Sequence, residues 1–405
     1  MTRIFTLFAI IAVALRAPAL TPDSTLRLDY VLGIAGGHPA VMLHEVSKLD
    51  GWGGRTVNLD RAPLQGNGQV VVTDQVTGQT LYRQPFSTLY QEWLHLPGSD
   101  SLSVSFEHTV EVPLPDREAV VSLILFDNRH DTLTTHTYLY SPAEILVRER
   151  KRPDIPHRIL HAATHPSPIS VAILAEGYRE DEADTFYADA QAFVDELLSY
   201  EPFCRYADRL QLTAIAAPSA DSGVSSPQSG RWLDTPFGSH FDTFHMDRYL
   251  TSPRVWDMHT AAEAVPAAHI VVLANTDQYG GGGIYNNYAL TAAHVPFFRP
   301  VAIHEFGHSF GGLADEYFYD DEMDGTYALD AEPWEPNIST LVDFASKWEG
   351  TPDTGIFEGG GYRSKGIYRP AYDCRMRTNE YPAFCPVCRA SLERTILFLT
   401  EPVGE

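Results

Sequence analysis

The sequence predicts an α+β protein in which an antiparallel β-sandwich precedes a second domain built on a mixed sheet. Three observations support this prediction. Apolar and polar residues alternate in the first part of the chain, a charged, proline-rich connector follows between residues 151 and 168, and strand-like and helix-like patterns then alternate. A domain boundary is therefore expected near residue 155, with domains at 20–155 and 156–405.

The β-sandwich is predicted from short strands between turn residues. Val70–Val72 and Val120–Phe126 are apolar runs bounded by Gly, Asn, Asp and Pro. A third segment alternates strictly, and one of its faces carries Val104, Phe106, His108, Val110, Val112 and Leu114. Trp52 and Trp93 could form a glycan-binding face, although aromatic side chains in a sandwich more often pack in the core.

The second domain is predicted from the order of its elements. Ser170–Leu174 has the composition of a buried strand, and Asp181–Tyr200 has the periodicity of an amphipathic helix. Two further strands are predicted at Leu210–Ala216 and His269–Ala274, an order that suits a mixed sheet. The glycine-rich segment Tyr279–Tyr285 has no lysine and no G-K-[ST] ending, so a nucleotide site is not indicated.

The first 19 residues have the features of a secretory signal peptide. A short positive start precedes the apolar stretch Ile4–Leu15, and Ala17-Pro18-Ala19 supplies the small residues of a cleavage site. No apolar run reaches the roughly 18 residues that a transmembrane helix needs. The protein is therefore expected to be exported, to an extracellular, periplasmic or cell-surface location.

The charge of the chain argues against nucleic acid as a partner. It carries 29 basic and 53 acidic residues, a net charge of -24. Nucleic acids and anionic membrane surfaces both reward positive patches. A protein or peptide substrate is compatible with this charge.

The most specific motif is His304-Glu305-Phe306-Gly307-His308. Residues four apart lie on one face of a helix, so both imidazoles can bind one Zn²⁺ while Glu305 reaches a water bound to it. Zinc lowers the pKa of such a water from about 15.7 to about 7, and a neighbouring carboxylate can accept its proton. The motif predicts a zinc hydrolase with Glu305 as general base.

A third zinc ligand is expected just after the motif. Gly311 and Gly312 should end the helix. Such a break is needed, because a ligand six or seven residues past His308 would lie about 10 Å further along a continuing helix. Asp315 is the predicted ligand, and the alternatives are Glu316, Glu322 and Glu332. The acidic run Asp320–Gly325 loosely resembles a calcium loop, but its twelfth position is Ala331 rather than glutamate, so Ca²⁺ is a weaker expectation.

These motifs together resemble the M64 metallopeptidases, the family named for cleavage of immunoglobulin A. The resemblance rests on H-E-F-G-H-S-F-G-G-L-A-D-E-Y from His304, on Cys374–Arg377 and on Phe384–Cys388, and spans about residues 165 to 400. It implies a metzincin-like zincin domain in which Met376 forms the Met-turn below the metal. Metzincins place a histidine where this chain has Ala314, and Asp315 fits the aspartate-ligand variants of that superfamily.

Two further expectations concern substrate binding. In zincins the strand before the active-site helix is a sheet edge that pairs with extended substrate, and Tyr288–Ala292 is the candidate for that edge. Tyr381 could donate a hydrogen bond to the oxyanion of the tetrahedral intermediate, although a tyrosine at such a position is more often simply packed.

The cysteines are expected to form disulfides. Cys374, Cys385 and Cys388 are close in sequence, and Cys204 is the fourth cysteine of the chain. A zinc knuckle needs four ligands and only three thiols cluster, so in an exported protein one or two disulfides are the favoured interpretation, with Cys374 bonded to Cys385 or Cys388.

Three classes of function remain open from the sequence. The favoured one is a secreted zinc endopeptidase. The others are a zincin-fold binding or adhesion module that has lost catalysis, and a zinc hydrolase of a non-peptide amide. The intact Glu305 argues against the second class. Residues from about 160 onward are also expected to hold a complete core of their own.

Overall fold

The computed structural model describes residues 22–35, 38–96, 98–99, 104–319 and 326–403. The expected signal peptide, residues 1–19, lies outside these ranges. The chain has the mixed α+β composition that the sequence predicts. Among the described residues, no helix combines the length and the apolar character that a membrane span requires.

The amino-terminal part of the described chain is built from strands. They are β1 (Ser24–Ala35), β2 (His38–Asp50), β3 (Gly68–Asp74), β4 (Thr80–Phe86), β5 (Ser105–Pro113), β6 (Ala119–Phe126), β7 (Thr132–Tyr140) and β8 (Arg148–Glu149), with helix α1 (Leu89–Leu94) between β4 and β5. They form two four-stranded sheets with the orders β5-β1-β2-β8 and β4-β3-β6-β7. All pairs are antiparallel except β2 with β8.

These two sheets share one hydrophobic core. Leu28 of β1, Val72 of β3 and both Val110 and Val112 of β5 are buried in it, and Phe106 packs against it. The alternation read from the sequence thus corresponds to the core-facing side of β5 from Phe106 to Val112, whereas Val104 precedes the strand and is 36% exposed. The apolar runs predicted as strands are β3 and β6.

The carboxy-terminal part combines a larger sheet with the longer helices. Its strands are β9 (His157–His161), β10 (Ile169–Glu176), β11 (Leu210–Ile215), β12 (His269–Ala274), β13 (Gly281–Ile284), β14 (Tyr288–Ala292), β15 (Phe357–Gly360) and β16 (Arg363–Arg369). Its helices are α2 (Ala183–Leu197), α3 (Val255–Ala262), α4 (Phe298–Gly311), α5 (Phe344–Trp348) and α6 (Pro386–Thr400). Short 3₁₀ turns occur at Glu180–Glu182, Ala207–Arg209, Pro227–Ser229 and Thr243–His245.

Six of these strands form one mixed sheet with the order β13-β14-β12-β10-β11-β9. The inner pairs are parallel, and β9 and β13 run antiparallel to their neighbours. Helices α2 and α4 share a core with this sheet, and the rings of Phe193 and Phe306 lie 6.1 Å apart. Helix α4 is thereby held against the sheet.

The edge strand differs from the sequence expectation. Tyr288–Ala292 is β14, which lies between β12 and β13 and so is not an edge. The strand at this edge of the sheet is β13, which lies within the glycine-rich segment Tyr279–Tyr285. Alternation and composition predict that a segment is a strand, but its neighbours in the sheet depend on long-range packing.

The two parts of the chain are joined by buried contacts. The Arg27 guanidinium, 2% exposed, pairs with Asp29 at 2.9 Å and, across the two parts, with Glu263 at 2.7 Å, which directly follows α3. Leu89 of α1 belongs to the core cluster on the α3 side of the mixed sheet. The buried residues of the cluster shared by α2 and α4 all follow residue 168, whereas Leu89 and Phe106 of the amino-terminal part contribute to this second cluster.

Candidate metal centre

Helix α4 presents the histidine pair and ends where the sequence predicts. Pro300 lies in its first turn, where a missing N–H needs no partner within the helix. Gly312 follows the helix with a φ of 59°, and its N–H donates to the carbonyl of His308 at 3.0 Å. A Cβ at Gly312 would lie 2.7 Å from the Trp334 ring, so glycine permits both the left-handed turn and the close contact.

The turn brings Asp315 back to the two histidines. Asp315 Oδ1 lies 3.0 Å from His304 Nε2 and 3.3 Å from His308 Nε2, and the two Nε2 atoms are 3.0 Å apart. Ligand atoms about 2.0–2.2 Å from one tetrahedral zinc ion are separated by about 3.3–3.6 Å. The donor atoms of the three predicted ligands are therefore placed closely enough to share a metal ion.

Backbone carbonyls fix the tautomer of both imidazoles. Nδ1 of His304 donates to the carbonyl of Arg375 at 3.0 Å, and Nδ1 of His308 donates to the carbonyl of Leu313 at 2.5 Å. A carbonyl can only accept, so the proton of each neutral ring is on Nδ1 and the lone pair is on Nε2. Both lone pairs are thus available on the side where Asp315 lies, the usual arrangement of histidines that bind metal.

The electrostatics of the three side chains are those of a closely coupled group. Burial acts to lower the pKa of His308, but the Asp315 carboxylate raises it to about 9. Burial acts to raise the pKa of Asp315, yet the charges and hydrogen bonds of His308 and His304 hold it well below its usual range. An anionic Asp315 therefore favours positive charge at this position, which a metal cation can supply.

Glu305 lies beside this group without being its nearest carboxylate. It is 9% exposed, and its carboxylate lies within 4.8 Å of ring nitrogens of His304 and His308. Burial raises the pKa of Glu305. A Cβ at Gly281 of β13 would lie 2.6 Å from Glu305 Oε1, so the edge strand packs directly on this side chain. Its position suits a proton acceptor next to a metal.

Met376 packs against helix α4 at Gly307, and the Met-turn role expected for it remains a prediction. It is fully buried, and a Cβ at Gly307 would lie 2.7 Å from its sulfur atom. Its carbonyl accepts a hydrogen bond from the Glu316 N–H at 2.7 Å. This contact connects the Met376 turn to the segment that carries Asp315, and glycine at position 307 allows the close approach.

Tyr381 is not among the described residues that line the cavity next to His304 and His308. Its side chain is 39% exposed, while the adjoining Thr378, Asn379 and Glu380 line the cavity in front of α4. An oxyanion-binding role for Tyr381 remains a prediction.

The alternative acidic ligands occupy other positions. Glu316 is buried among three cysteine side chains, and the Glu332 carboxylate pairs with Lys347 at 3.2 Å. Glu322 and the possible calcium loop at Asp320–Gly325 lie outside the described ranges. Of the acids considered from the sequence and described by the structure, Asp315 is the one whose carboxylate meets both histidines.

Residues that the sequence did not single out also reach the site. The cavity in front of the histidines has a volume of about 740 Å³ and is lined by both parts of the chain. Glu92 of α1 accepts a hydrogen bond from the Tyr249 hydroxyl, and burial raises the pKa of Glu92 to about 7. A glutamate in a short helix far from the motif carries no local signal of such a role.

A cationic and aromatic group lines the same cavity. The Arg248 guanidinium donates a hydrogen bond to the Tyr319 hydroxyl and lies 5.4 Å from the centre of the Tyr317 ring. Tyr362 donates a hydrogen bond to Asp315 Oδ2. These residues bring positive charge and hydroxyl donors to the metal side of the cavity.

The aromatic residues suggested for glycan binding are not equally accessible. Trp93 is buried in the core of the amino-terminal sheets, and Trp52 packs edge-on against Tyr82 with ring centres 5.7 Å apart. A glycan contact remains a prediction.

Comparison with known families covers both parts of the chain. Residues 19–137 match the family model described as Peptidase M64 N-terminus, and residues 158–351 and 349–396 match the model described as IgA Peptidase M64. A search of curated proteins gave no match. The family implies a metal cofactor and a protein or peptide substrate, in agreement with the group of potential metal ligands around His304 and His308. The chain belongs to the M64 family of peptidases.

Proposed function

We propose that this chain is an exported zinc endopeptidase with a metzincin-like zincin domain behind an amino-terminal β-sandwich. His304, His308 and Asp315 would hold the zinc ion, Glu305 would act as general base, and Met376 would form the Met-turn. Export rests on the signal-peptide features of residues 1–19. The substrate class is protein or peptide, as in the M64 family.

One observation carries this proposal. Two Nε2 atoms and one carboxylate oxygen lie 3.0–3.3 Å from one another on the wall of a cavity, with Glu305 beside them. Three protein ligands with a fourth position open to substrate are typical of catalytic zinc sites, whereas structural sites use four protein ligands. The nitrogen and oxygen donors also suit zinc.

The residues around the metal position have separate roles in the proposed hydrolysis. When bound, zinc would polarise the scissile carbonyl and lower the pKa of an attacking water. Glu305 accepts the proton of that water and later delivers it to the leaving amine. Arg248 and Tyr317 lie on the same cavity wall and can stabilise negative charge that develops on the carbonyl oxygen.

Strand β13 is the proposed site of substrate pairing. Gly281, Gly282, Gly283 and Ile284 all line the cavity. The outer side of β13 is already bridged to Tyr249 at Gly281. An extended peptide would therefore pair with the part of β13 that follows Gly281. The absence of side chains at three successive positions would let a peptide backbone approach closely.

Replacement of Glu305 tests the proposal most directly. Glu305→Gln should lower casein cleavage by about 10²–10⁴-fold, the usual contribution of a general base, while metal content measured by mass spectrometry stays unchanged. The exposed Glu349 provides a matched control, because Glu349→Gln removes a surface charge only. Substantial cleavage by Glu305→Gln, or full activity of the native chain after complete metal removal, would contradict the assignment.

A further inference from the structure

A second group of potential metal ligands lies apart from the histidine pair. Glu316, Cys374, Cys385 and Cys388 are all buried, with exposures of 0–2%. Their ligand atoms lie within 4.8 Å of one another. The three sulfur atoms are not joined by disulfides, which contradicts the pairing expected from the sequence. The fourth member that a knuckle requires is present, and it is a carboxylate rather than a thiol.

The distances within this group match a tetrahedral zinc ion better than a disulfide. Cys374 Sγ and Cys388 Sγ are 3.8 Å apart, whereas a disulfide bond is about 2.05 Å. Glu316 Oε1 lies 3.2 Å from Cys388 Sγ and 3.9 Å from Cys385 Sγ. With zinc about 2.3 Å from sulfur and about 2.0–2.2 Å from oxygen, tetrahedral geometry requires about 3.8 Å between two sulfurs and about 3.5 Å between sulfur and oxygen.

One oxygen of the Glu316 carboxylate lacks a partner that would explain its burial. Oε1 accepts a hydrogen bond from Asn337 Nδ2 at 3.0 Å and faces the Cys388 and Cys385 sulfurs, but Oε2 has no hydrogen-bond partner among the described residues. Burying a carboxylate that is incompletely paired is strongly unfavourable unless it is neutralised or binds a metal. A cation between Glu316 and the three sulfurs removes this penalty.

The backbone around the cysteines is arranged to stabilise thiolates. The Cys385 N–H donates to Cys374 Sγ at 3.2 Å, and the Cys388 N–H donates to Cys385 Sγ at 3.5 Å. Cys385 is the N-cap of α6 and Cys388 lies in its first turn. A helix amino terminus favours negative charge, and metal-bound cysteine is a thiolate.

We propose that Glu316, Cys374, Cys385 and Cys388 form a second, structural zinc site. Binding releases the thiol protons to solvent and closes the coordination shell with four protein ligands, as structural sites require. The site would tie together the segment after Asp315, the turn that carries Met376 and the start of α6, since Glu316 and Met376 are already joined by a backbone hydrogen bond. Zinc here has no contact with substrate and would act on the catalytic centre only through position.

Metal stoichiometry and cobalt spectroscopy of the full chain test this proposal without an activity assay. The native chain should hold two zinc ions, and a His304→Ala/His308→Ala variant should retain one. Cobalt(II) in that variant should give an intense near-ultraviolet thiolate-to-metal band, because the remaining ligands include three sulfurs. In the histidine variant, Cys388→Ser should remove the band and the remaining ion. Cys204→Ser, at an exposed cysteine, should leave both the band and that ion in place.

The thiol state provides the second measurement, in case Cys388→Ser does not fold. A mercurial thiol reagent added to the folded histidine variant should release its remaining zinc in proportion to the thiols modified. An intact mass lower by two hydrogen atoms, with no zinc left in the histidine variant, would show a disulfide and overturn the proposal. Failure of the peptidase assay alone would leave these readouts unaffected, so the two proposals fail separately.

Discussion

The Tyr362 hydroxyl donates a hydrogen bond to Asp315 Oδ2, while Oδ1 of the same carboxylate faces His304 and His308. The two oxygens of Asp315 therefore have different partners. Tyr362 lies just beyond strand β15, and its N–H also donates to the carbonyl of Tyr317 at 3.1 Å. This hydroxyl orients the carboxylate so that one oxygen points to the proposed zinc position.

We expect Tyr362→Phe to weaken zinc binding at the catalytic site by about 10–100-fold, the usual effect of losing a partner of a metal ligand. The phenyl ring keeps the packing against Tyr317 and Tyr319, so only the hydrogen bond is lost. Competition with a chromophoric chelator measures the affinity. Tyr372→Phe, at an exposed tyrosine, is the control. An unchanged affinity in Tyr362→Phe would mean that Asp315 does not bind the metal through the oriented oxygen.

Asp315→Ala should lower zinc affinity more than Tyr362→Phe, because it removes a direct ligand rather than its partner. Peptide cleavage should fall in parallel with zinc content. Glu332→Gln is the control, since Glu332 pairs with Lys347 rather than with the histidines. Measured zinc content in Asp315→Ala equal to that of the native chain would remove Asp315 from the ligand set.

Gly281→Ala should impair catalysis without removing the metal. The added Cβ would lie 2.6 Å from Glu305 Oε1, so the carboxylate must move. Misplacing a catalytic group by about 1 Å can lower the rate by about 10²-fold. Gly360→Ala is the control, because its Cβ would meet no atom closer than 3.7 Å. Native kcat in Gly281→Ala would show that Glu305 tolerates displacement or is not the base.

The parts of the site that follow from the sequence are those set by local geometry. The spacing of His304 and His308 places both on one helix face, and Gly312 ends the helix so that Asp315 can return. Tyr362 and Glu92 could not be identified in this way. Each reaches the site from a distant segment, and neither lies in a pattern that distinguishes it from other tyrosines or glutamates.

The fold divides similarly between local and long-range information. His269–Ala274 is predicted with the bounds of β12, because a short apolar run flanked by polar residues has few alternatives. The sheet edge was misplaced because strand order is not written in any single strand. The cysteine pairing was also wrong, since the expected disulfide ignored Glu316, whose approach to the thiols depends on the turn after Gly312.

Arg27→Ala should destabilise the chain by about 3–5 kcal/mol, the usual result of removing one partner of a buried ion pair. The buried carboxylate of Asp29 loses its 2.9 Å ion-pair partner and keeps the hydrogen bond from Thr109, and Glu263 keeps Arg150 at 3.0 Å. Urea unfolding followed by fluorescence measures the loss. Arg179→Ala, which breaks an exposed pair with Asp181, should leave the midpoint nearly unchanged. Equal midpoints for Arg27→Ala and the native chain would show that this contact does not hold the two parts together.

His108→Leu should make the chain less sensitive to acid. Burial beside Phe86, and to a lesser extent the nearby His259, lowers the pKa of His108 from 6.5 to about 3 in the folded chain. The unfolded chain binds a proton at His108 from pH 6.5 downward and the folded chain does not. Stability is therefore lost as pH falls from 6.5 towards 3.

At pH 5 this single group accounts for about 2 kcal/mol of the loss relative to pH 7, from the difference between the two pKa values. Urea unfolding of His108→Leu at both pH values should show a difference smaller by that amount. Replacement of the exposed His157 controls for loss of a surface imidazole. An unchanged difference in His108→Leu would mean that His108 also takes up a proton in the folded chain. That charge would need a partner, which the burial of His108 on β5 beside the Phe86 ring does not provide.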